Sequence, residues 1–550
     1  MNRFFAELKR RKVYPIAVAY LVAGWALAQG VAQVLPVFDV PNWLIRLIVV
    51  VIIVGFPIAL TLSWFFDLTR YGVVRTPNLK DIDTALKLPA SENSIAVLPF
   101  ADLSPNRDHD YFSDGIAEEI LTALSKIDNL RVAARRSSFW FKDQKADLRE
   151  VANKLNVAHV LEGSVRRDDN RVRVTAELID ARQGFTIWSD TFEREMQNIF
   201  ALQDEITRAI VDKLKLKLAI SPPAPARRLD AYDSYLQGLF YSDKSTEEAL
   251  RKSLGFFEAA LQKDAGFSRA WTGIAKSWLW LADAYVTPLE AYSKMRQAAL
   301  NALKIDKTDA EAHVYLAEAK RILDWNMDGA AREFYRAIEL DPKSTPTNYF
   351  SAAFFAALGD RENALKYLQR TATIDPASLW VNNAACELYR YFGLYDEAMA
   401  AGERAVQLDP AFVYGEPLLA ALYREMGRYD EAISLYEKAQ IISGRPAFGH
   451  AITFAKMNRL NEARDTLAKA IAARKSYTPG DAVAHVYVAL GAHDEAIREL
   501  ERAATEHSSS LHFIGIAPEF APLRPDKRFV AIVERIGLDP KKVFAIGGGG

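Results

Sequence analysis

Three textures of apolar and polar positions follow one another along this chain. Residues 13–37 and 47–66 carry no charged side chain, and each run is long enough to cross about 30 Å of hydrocarbon as a helix. The second run is the cleaner, from Leu47 to Phe66 with Pro57 as a kink, whereas Gln29 and Gln33 interrupt the first. From Ser94 the apolar residues shorten into strand-like runs. Ile95 to Phe100, Leu130 to Ala134, His159 to Val165, Val172 to Ile179 and Phe185 to Thr191 read as strands, the third and fourth joined by a hairpin turn at Asp168-Asp169-Asn170. Helical periodicity follows Ser113-Asp114-Gly115, with Glu118 and Glu119 in the first turn at the positive end of the helix dipole. It returns in Leu148–Leu155 and in Ile199–Leu218. The order β-α-β-α-β-β-β-α predicts a small α/β domain with a mixed sheet. Beyond the stiff Ser221-Pro222-Pro223-Ala224-Pro225 linker, the pattern is helical almost to the end.

Within that helical part, three marks keep one step. Asp341-Pro342, Asp375-Pro376 and Asp409-Pro410 are 34 residues apart, as are Gly359, Gly393 and Gly427, and Ala330, Ala364, Ala398 and Ala432. Each mark has a local job: the Gly reverses the chain, the Ala admits a neighbouring helix, and Asp-Pro stops the second helix. This pattern resembles the tetratricopeptide repeat. About eight units fit over residues 232–511, the outer ones degenerate, with a capping segment over 512–541. One helix pair cannot bury its own apolar face, so neighbours must stack into a superhelix. The resemblance implies protein or peptide partners. Carried onto this register, groove-facing positions fall at Trp380, Asn383, Glu387, Arg390 and Tyr391 in one unit, and at Tyr414, Arg424 and Glu425 in the next. Aromatic and arginine side chains are the types that dominate interface energetics.

The α/β segment carries a second resemblance. Ser-Ile-Ala-Val-Leu-Pro-Phe at 94–100, Tyr-Phe-Ser-Asp-Gly-Ile-Ala-Glu-Glu-Ile at 111–120, His-Val-Leu-Glu-Gly-Ser-Val-Arg at 159–166 and Ile-Trp-Ser-Asp-Thr-Phe at 187–192 resemble the TolB-amino-terminal-like domain of bacterial signalling proteins. In those proteins it sits between an output module, a nucleotide cyclase or a DNA-binding winged helix, and tetratricopeptide repeats. Neither output module is visible in residues 1–76, which read as a two-helix membrane anchor, so the resemblance implies no cyclase activity here.

Charge orients the anchor and narrows the chemistry. Arg3, Lys9, Arg10, Arg11 and Lys12 precede the first apolar run and Arg70, Arg75 and Lys80 follow the second, so the positive-inside rule puts both ends in the cytoplasm. Over the whole chain 69 Lys and Arg nearly balance 70 Asp and Glu, which gives no argument for nucleic acid. The single cysteine, Cys386, excludes an internal disulfide and falls at a small-residue packing position of a repeat. No phosphate-binding loop, His-Glu-x-x-His or paired CxxC is present, and the eight histidines lack ligand spacing. No metal or cofactor is expected. Two polar clusters stand out: Asp102, Asp108, Asp110 and Asp114 beside His109, a candidate ligand loop at a strand end, and Arg135, Arg136, Arg166, Arg167, Arg171 and Arg173 near Trp140, which read as a solvated strand face or as a basic patch for anionic lipid or an acidic partner.

Together these features predict a multidomain protein: a transmembrane helical hairpin (1–76), a linker (77–93), an α/β domain (94–219), a Pro-rich linker (220–231), the repeat superhelix and its cap. The reading that follows is a protein without enzymatic activity, multi-pass in the bacterial inner membrane through residues 13–66, with its folded domains cytoplasmic. It would recruit protein partners there and self-associate through the hairpin or the α/β domain. A ligand sensor, in which the α/β domain binds a small molecule and the repeats relay its presence, is the alternative, and an envelope-facing assembly factor is a third.

Overall fold

A computed structural model describes residues 66–69, 72–75 and, from 92 to 546, all but 106–108, 128, 143, 145–146, 169–170, 215–227, 245, 377, 410–414, 445 and 475–476. The chain divides into two units, Met1–Pro89 and Ala90–Gly550. In the first, β1 (Phe66–Thr69) and β2 (Gly72–Arg75) form an antiparallel hairpin. The apolar runs expected to cross the membrane lie outside the described residues, save Phe66, which opens β1. Among the described residues no helix is long and apolar enough to cross a membrane.

The second unit begins with the α/β domain. Its mixed sheet runs β5 (Arg131–Val132), β3 (Ser94–Val97), β6 (His159–Asp168), β7 (Arg171–Asp180), β8 (Phe185–Glu195), with the short β4 (Ala101–Asp102) also on β6. The first part is parallel because helices cross between its strands; β6, β7 and β8 form an antiparallel meander with a register shift at Leu178/Ile179. On one face lie α1 (Asp110–Ser125) and α4 (Ile199–Lys213), with Ile116, Ile120, Leu202 and Ile206 meeting Val165, Val174 and Leu178. The other face is covered more thinly: α2 (Arg135–Phe139) and α3 (Leu148–Leu155) close over Ala96 and Val160 with Phe141, Val151 and Leu155.

Among the described residues sixteen further helices form eight antiparallel pairs: α5 (Leu229–Ser242) with α6 (Glu247–Lys263), α7 (Ser268–Leu281) with α8 (Pro288–Ile305), α9 (Ala310–Leu323) with α10 (Met327–Leu340), α11 (Thr345–Ala357) with α12 (Arg361–Ile374), α13 (Leu379–Tyr391) with α14 (Tyr395–Leu408), α15 (Gly415–Glu425) with α16 (Tyr429–Ser443), α17 (Phe448–Lys456) with α18 (Leu460–Ala472), and α19 (Gly480–Ala489) with α20 (His493–Thr505). The recurring residues explain the local geometry. Gly359, Gly393 and Gly427 sit at φ +75°, +70° and +75°, left-handed values that close each helix and that other residues adopt only with strain. Ala330, Ala364, Ala398 and Ala432 are fully buried against the partner helix. After Asp341-Pro342 and Asp375-Pro376, Ser344 and Ser378 cap the next helix through the backbone N–H of Thr347 and Val381, while the Asn348 and Asn382 side-chain amides donate back to the carbonyls of Pro342 and Pro376.

Each first helix touches the first helix of the next pair, so the first helices form the inner row of the curved array. The α/β domain is seated against its start. Gly115 on α1 admits Leu236 of α5, whose δ carbons lie 2.6 Å from where a β-carbon would stand. One continuous hydrophobic core therefore runs from the sheet into the repeats. Beyond α20 come two 3-10 turns, Ser509–Phe513 and Pro518–Leu523, and two helices, α21 (Lys527–Arg535) and α22 (Pro540–Ile546).

Candidate functional site

The inner row holds two occupants, both parts of the same chain. The first is the segment from β5 to α2 of the α/β domain, which faces α7, α9, α11 and α13. Arg135 pairs with Asp243 at the end of α5 and, at 2.9 Å, with Glu118 of α1; Lys276 of α7 reaches Asp243 at 3.2 Å. Burial opposes a charged Asp243, but Arg135, Lys276 and Arg136 outweigh it and hold the carboxyl well below the usual range. Arg136 lies over the rings of Trp280 and Trp380, 4.9 and 5.9 Å from their centroids, and the two rings touch at 4.7 Å. Asp375, the stop residue of the α12 repeat, accepts a hydrogen bond from Ser137. Burial pushes its carboxyl up to about 6, against that hydrogen bond and the Arg136 charge. Lys343 donates to the Ile127 carbonyl at 3.0 Å. Between the two bodies remains a cavity of about 330 Å³, walled by Leu121, Val132, Trp280, Tyr315, Tyr349 and Trp380 and by the charged groups just named.

The second occupant is a strap formed by residues 507–524, which returns from the last pair across the inner row. His507 bonds the Ile322 carbonyl at 2.8 Å and stacks on Trp325; His512 reaches the Arg321 carbonyl at 3.2 Å. Ser508 and Ser510 donate to Asp481 at 2.8 and 2.6 Å. Farther on, Glu519 accepts from Arg390 at 2.6 Å and from Arg424 at 3.1 Å, and Arg390 also pairs with Glu425. Burial works to raise the Glu519 carboxyl, yet Arg390, His485 and Arg424 hold it far below the usual range. Phe520 lies 4.0 Å from the His485 ring and Phe513 stacks on Tyr391, whose hydroxyl donates to Glu387 at 2.9 Å.

These occupants decide where the residues singled out from sequence stand. Trp380 faces Arg136 of the α/β domain, and Glu387, Arg390, Tyr391, Arg424 and Glu425 belong to the network around the strap. Asn383 is half-buried on α13, and Tyr414 lies outside the described residues. The candidate ligand loop serves structure instead. Asp102 accepts from the backbone N–H of Ser104 and His109, both at 2.8 Å, which staples the loop; Asp114 is buried and paired with Lys142 at 2.7 Å. Asp110 is exposed at the start of α1, 3.9 Å from the same lysine, and Asp108 lies outside the described residues. Nor do the arginines make one basic patch: Arg135 and Arg136 enter the repeats, Arg167 pairs with Asp233, and Arg171 and Arg173 pair with Glu193. His485 is stacked inside on Phe520. The sequence reading missed Asp375, Trp280 and Glu519. Trp280 and Trp380 lie 100 positions apart, and neither 34-residue step nor motif links them.

The comparisons bear on two parts of the chain. Residues 418–441, the α15–α16 pair, match the tetratricopeptide repeat model, so the chain carries tetratricopeptide repeats, a class that mediates protein–protein interactions. Residues 91–209 match the model described as HilA/YgeH-like transcriptional regulator, second domain, in place of the TolB-amino-terminal-like domain its phrases suggest. A Rhizobium meliloti (strain 1021) protein named "Putative adenylate cyclase 3" is 49% identical over 132 residues, 24% of this chain; the match spans 22% of that protein, about a fifth of its length. That finding corrects the expectation of a protein without enzymatic activity: a relative half identical over the matched stretch carries an enzyme's name. Among solved structures, a thermophilic TPR protein from Thermus thermophilus is similar at 20% identity (36% of this chain, 99% of that one, TM-score 0.30), and pilF of Pseudomonas aeruginosa at 18% (37% and 88%, TM-score 0.30). Scores of that size carry no argument about this chain.

Proposed function

We propose that this chain is a membrane-anchored tetratricopeptide-repeat protein that recruits a protein partner at the bacterial inner membrane, its α/β and repeat domains on the cytoplasmic side. The observation that carries the reading is the buried charge network of Arg390, Arg424, Glu425 and Tyr391 on the inner row, where a segment of the chain already lies as a ligand would. A groove that holds its own strap through one carboxylate has the chemistry to hold another chain. The apolar runs 13–37 and 47–66 and their basic flanks support the anchor. Self-association has a foothold on the edge strand β8, where Phe185 is 70% and Ile187 43% exposed.

The test uses a photo-crosslinking residue at Tyr395, exposed beside the network, in the full chain in native membranes. A discrete adduct with a second protein, lost when Arg424 becomes Glu, supports the reading; adducts within the chain alone overturn it. Sidedness is read separately from Ser443→Cys, an exposed site, in a Cys386→Ala background. Labelling by an impermeant thiol reagent only after lysis places the repeats in the cytoplasm, and labelling of intact cells refutes that placement.

A second reading rests on the cyclase name of the half-identical relative: the chain takes part in adenylate cyclase activity. Conversion of ATP to cyclic AMP by the purified full chain would support it. Its absence with either magnesium or manganese would exclude activity of the chain alone.

A further inference from the structure

We propose that the cavity between the α/β domain and the inner row is a binding site for a small planar aromatic acid, its ring against Trp280 and Trp380 and its oxyanion on Arg136. This goes beyond the partner reading and stands independently of it.

The cations lining the cavity are not paired alike. Arg135 and Lys276 are neutralised by Glu118 and Asp243. Arg136 is different: among the described residues its guanidinium lies over two indole rings with no ion pair to a carboxylate, although its charge acts on Asp243 and Asp375. A guanidinium carries five N–H donors in a planar fork that matches a carboxylate or phosphate in two parallel hydrogen bonds. Lys343, at the rim, donates to the Ile127 carbonyl and adds a second positive charge facing the same space. Two acids of the far wall already have partners of their own. Glu311 is held by the Tyr315 hydroxyl at 3.3 Å and Asp375 by Ser137, and burial pushes both carboxyls towards their neutral forms.

Shape argues for a ring. Trp280, Trp380, Tyr315 and Tyr349 give the walls flat apolar faces, and indoles are the strongest stacking partners among side chains. A volume of about 330 Å³ lies at the low end of small-molecule sites, which run from roughly 300 to 1,000 Å³. A second cavity of about 240 Å³ continues past Arg136 to Phe139 and Trp140, leaving room for a substituent. Because one wall belongs to the α/β domain and the other to the repeats, a bound acid would tie the two together.

The oxyanion can be a carboxylate or a phosphate monoester, and the experiment separates them. Indole-3-carboxylate and adenosine 5′-monophosphate are titrated into the purified full chain by calorimetry, beside indole and adenosine as uncharged counterparts. The expected result is saturable binding of at least one acid, at least tenfold tighter than its counterpart; which acid binds identifies the oxyanion. Arg136→Gln should weaken that binding at least tenfold at an unchanged melting temperature. Arg136→Lys, which keeps the charge and loses the fork, should fall between the two. Failure of both acids to bind, equal binding of the uncharged rings, or full affinity in a folded Arg136→Gln overturns the proposal.

Discussion

Replacing Glu519 by Gln tests whether the strap is held by charge. Arg390 and Glu519 are 4% and 12% exposed at their side chains, so neither is screened by solvent as a surface pair would be. Taking away one partner of such a pair costs about 3–5 kcal/mol, because the survivor stays buried and charged. Gln keeps the volume and one acceptor, and Arg390 retains Glu425, so the low end, about 3 kcal/mol, is expected. At about 1.36 kcal/mol per decade that is roughly a hundredfold. Hydrogen exchange followed by mass spectrometry reads it directly: peptides from 507–524 should exchange about a hundredfold faster, while peptides from α5 to α8 stay as in the parent. Adding Arg390→Met should recover part of the loss, since Arg424 and Glu425, 3.8 Å apart, remain to pair with each other. If the strap exchanges at the parent rate, or if every repeat loosens together, the assignment of the strap to this carboxylate is wrong.

Three further outcomes follow from contacts already described. Asp375 has its folded-state value raised to about 6 from 3.8, so the folded chain binds more protons than the unfolded chain between those values; its contribution is full below pH 3.8 and lost as pH rises through 6. The urea midpoint should therefore rise from pH 8 to pH 5, by less in Asp375→Asn and unchanged in the exposed Asp341→Asn; an identical rise in all three refutes the role of Asp375. Gly115→Ala should cost about 1–3 kcal/mol through overpacking against Leu236. By contrast Gly255→Ala, where a β-carbon meets nothing within 4 Å, should gain up to about 1 kcal/mol of helix propensity, both read from urea unfolding. Cys386 is buried with its thiol pushed up to about 12, chiefly by burial, so iodoacetamide at pH 8 should leave it unmodified in the folded chain and alkylate it fully in urea.

The repeats were legible because each mark does its work locally. A glycine with positive φ, an alanine at a helix crossing and a proline after a stop act within a few residues of themselves, so period alone reveals them. The strands of the α/β domain were readable for the same reason: β7 alternates exposed and buried along Arg171–Asp180. What could not be read was which copy of a repeated residue does something extra. Asp341 and Asp375 are equivalent in sequence, yet Asp341 is exposed while Asp375 is 2% exposed and bonded to Ser137, 238 positions away. Groove positions were assigned by register, but register is silent on what fills a groove. Glu519 meets Arg390 across 129 positions, and the segment around it reads as an end cap. The aspartates before α1 were misleading in the opposite sense, since stapling a loop and capping a helix draw on the same residues as binding a cation.

The strap also governs the order in which the chain can finish folding. An open array of repeats gains its neighbour contacts one pair at a time, and each pair can settle as it leaves the ribosome. Here the contact of His507 with Ile322 closes a span of 185 residues, a large loop whose closure entropy must be met before the contact is rewarded. The strap-facing part of the third pair therefore waits uncovered until five more pairs and the strap have been synthesised. Completion of the inner row thus depends on a segment made long after the pairs it covers.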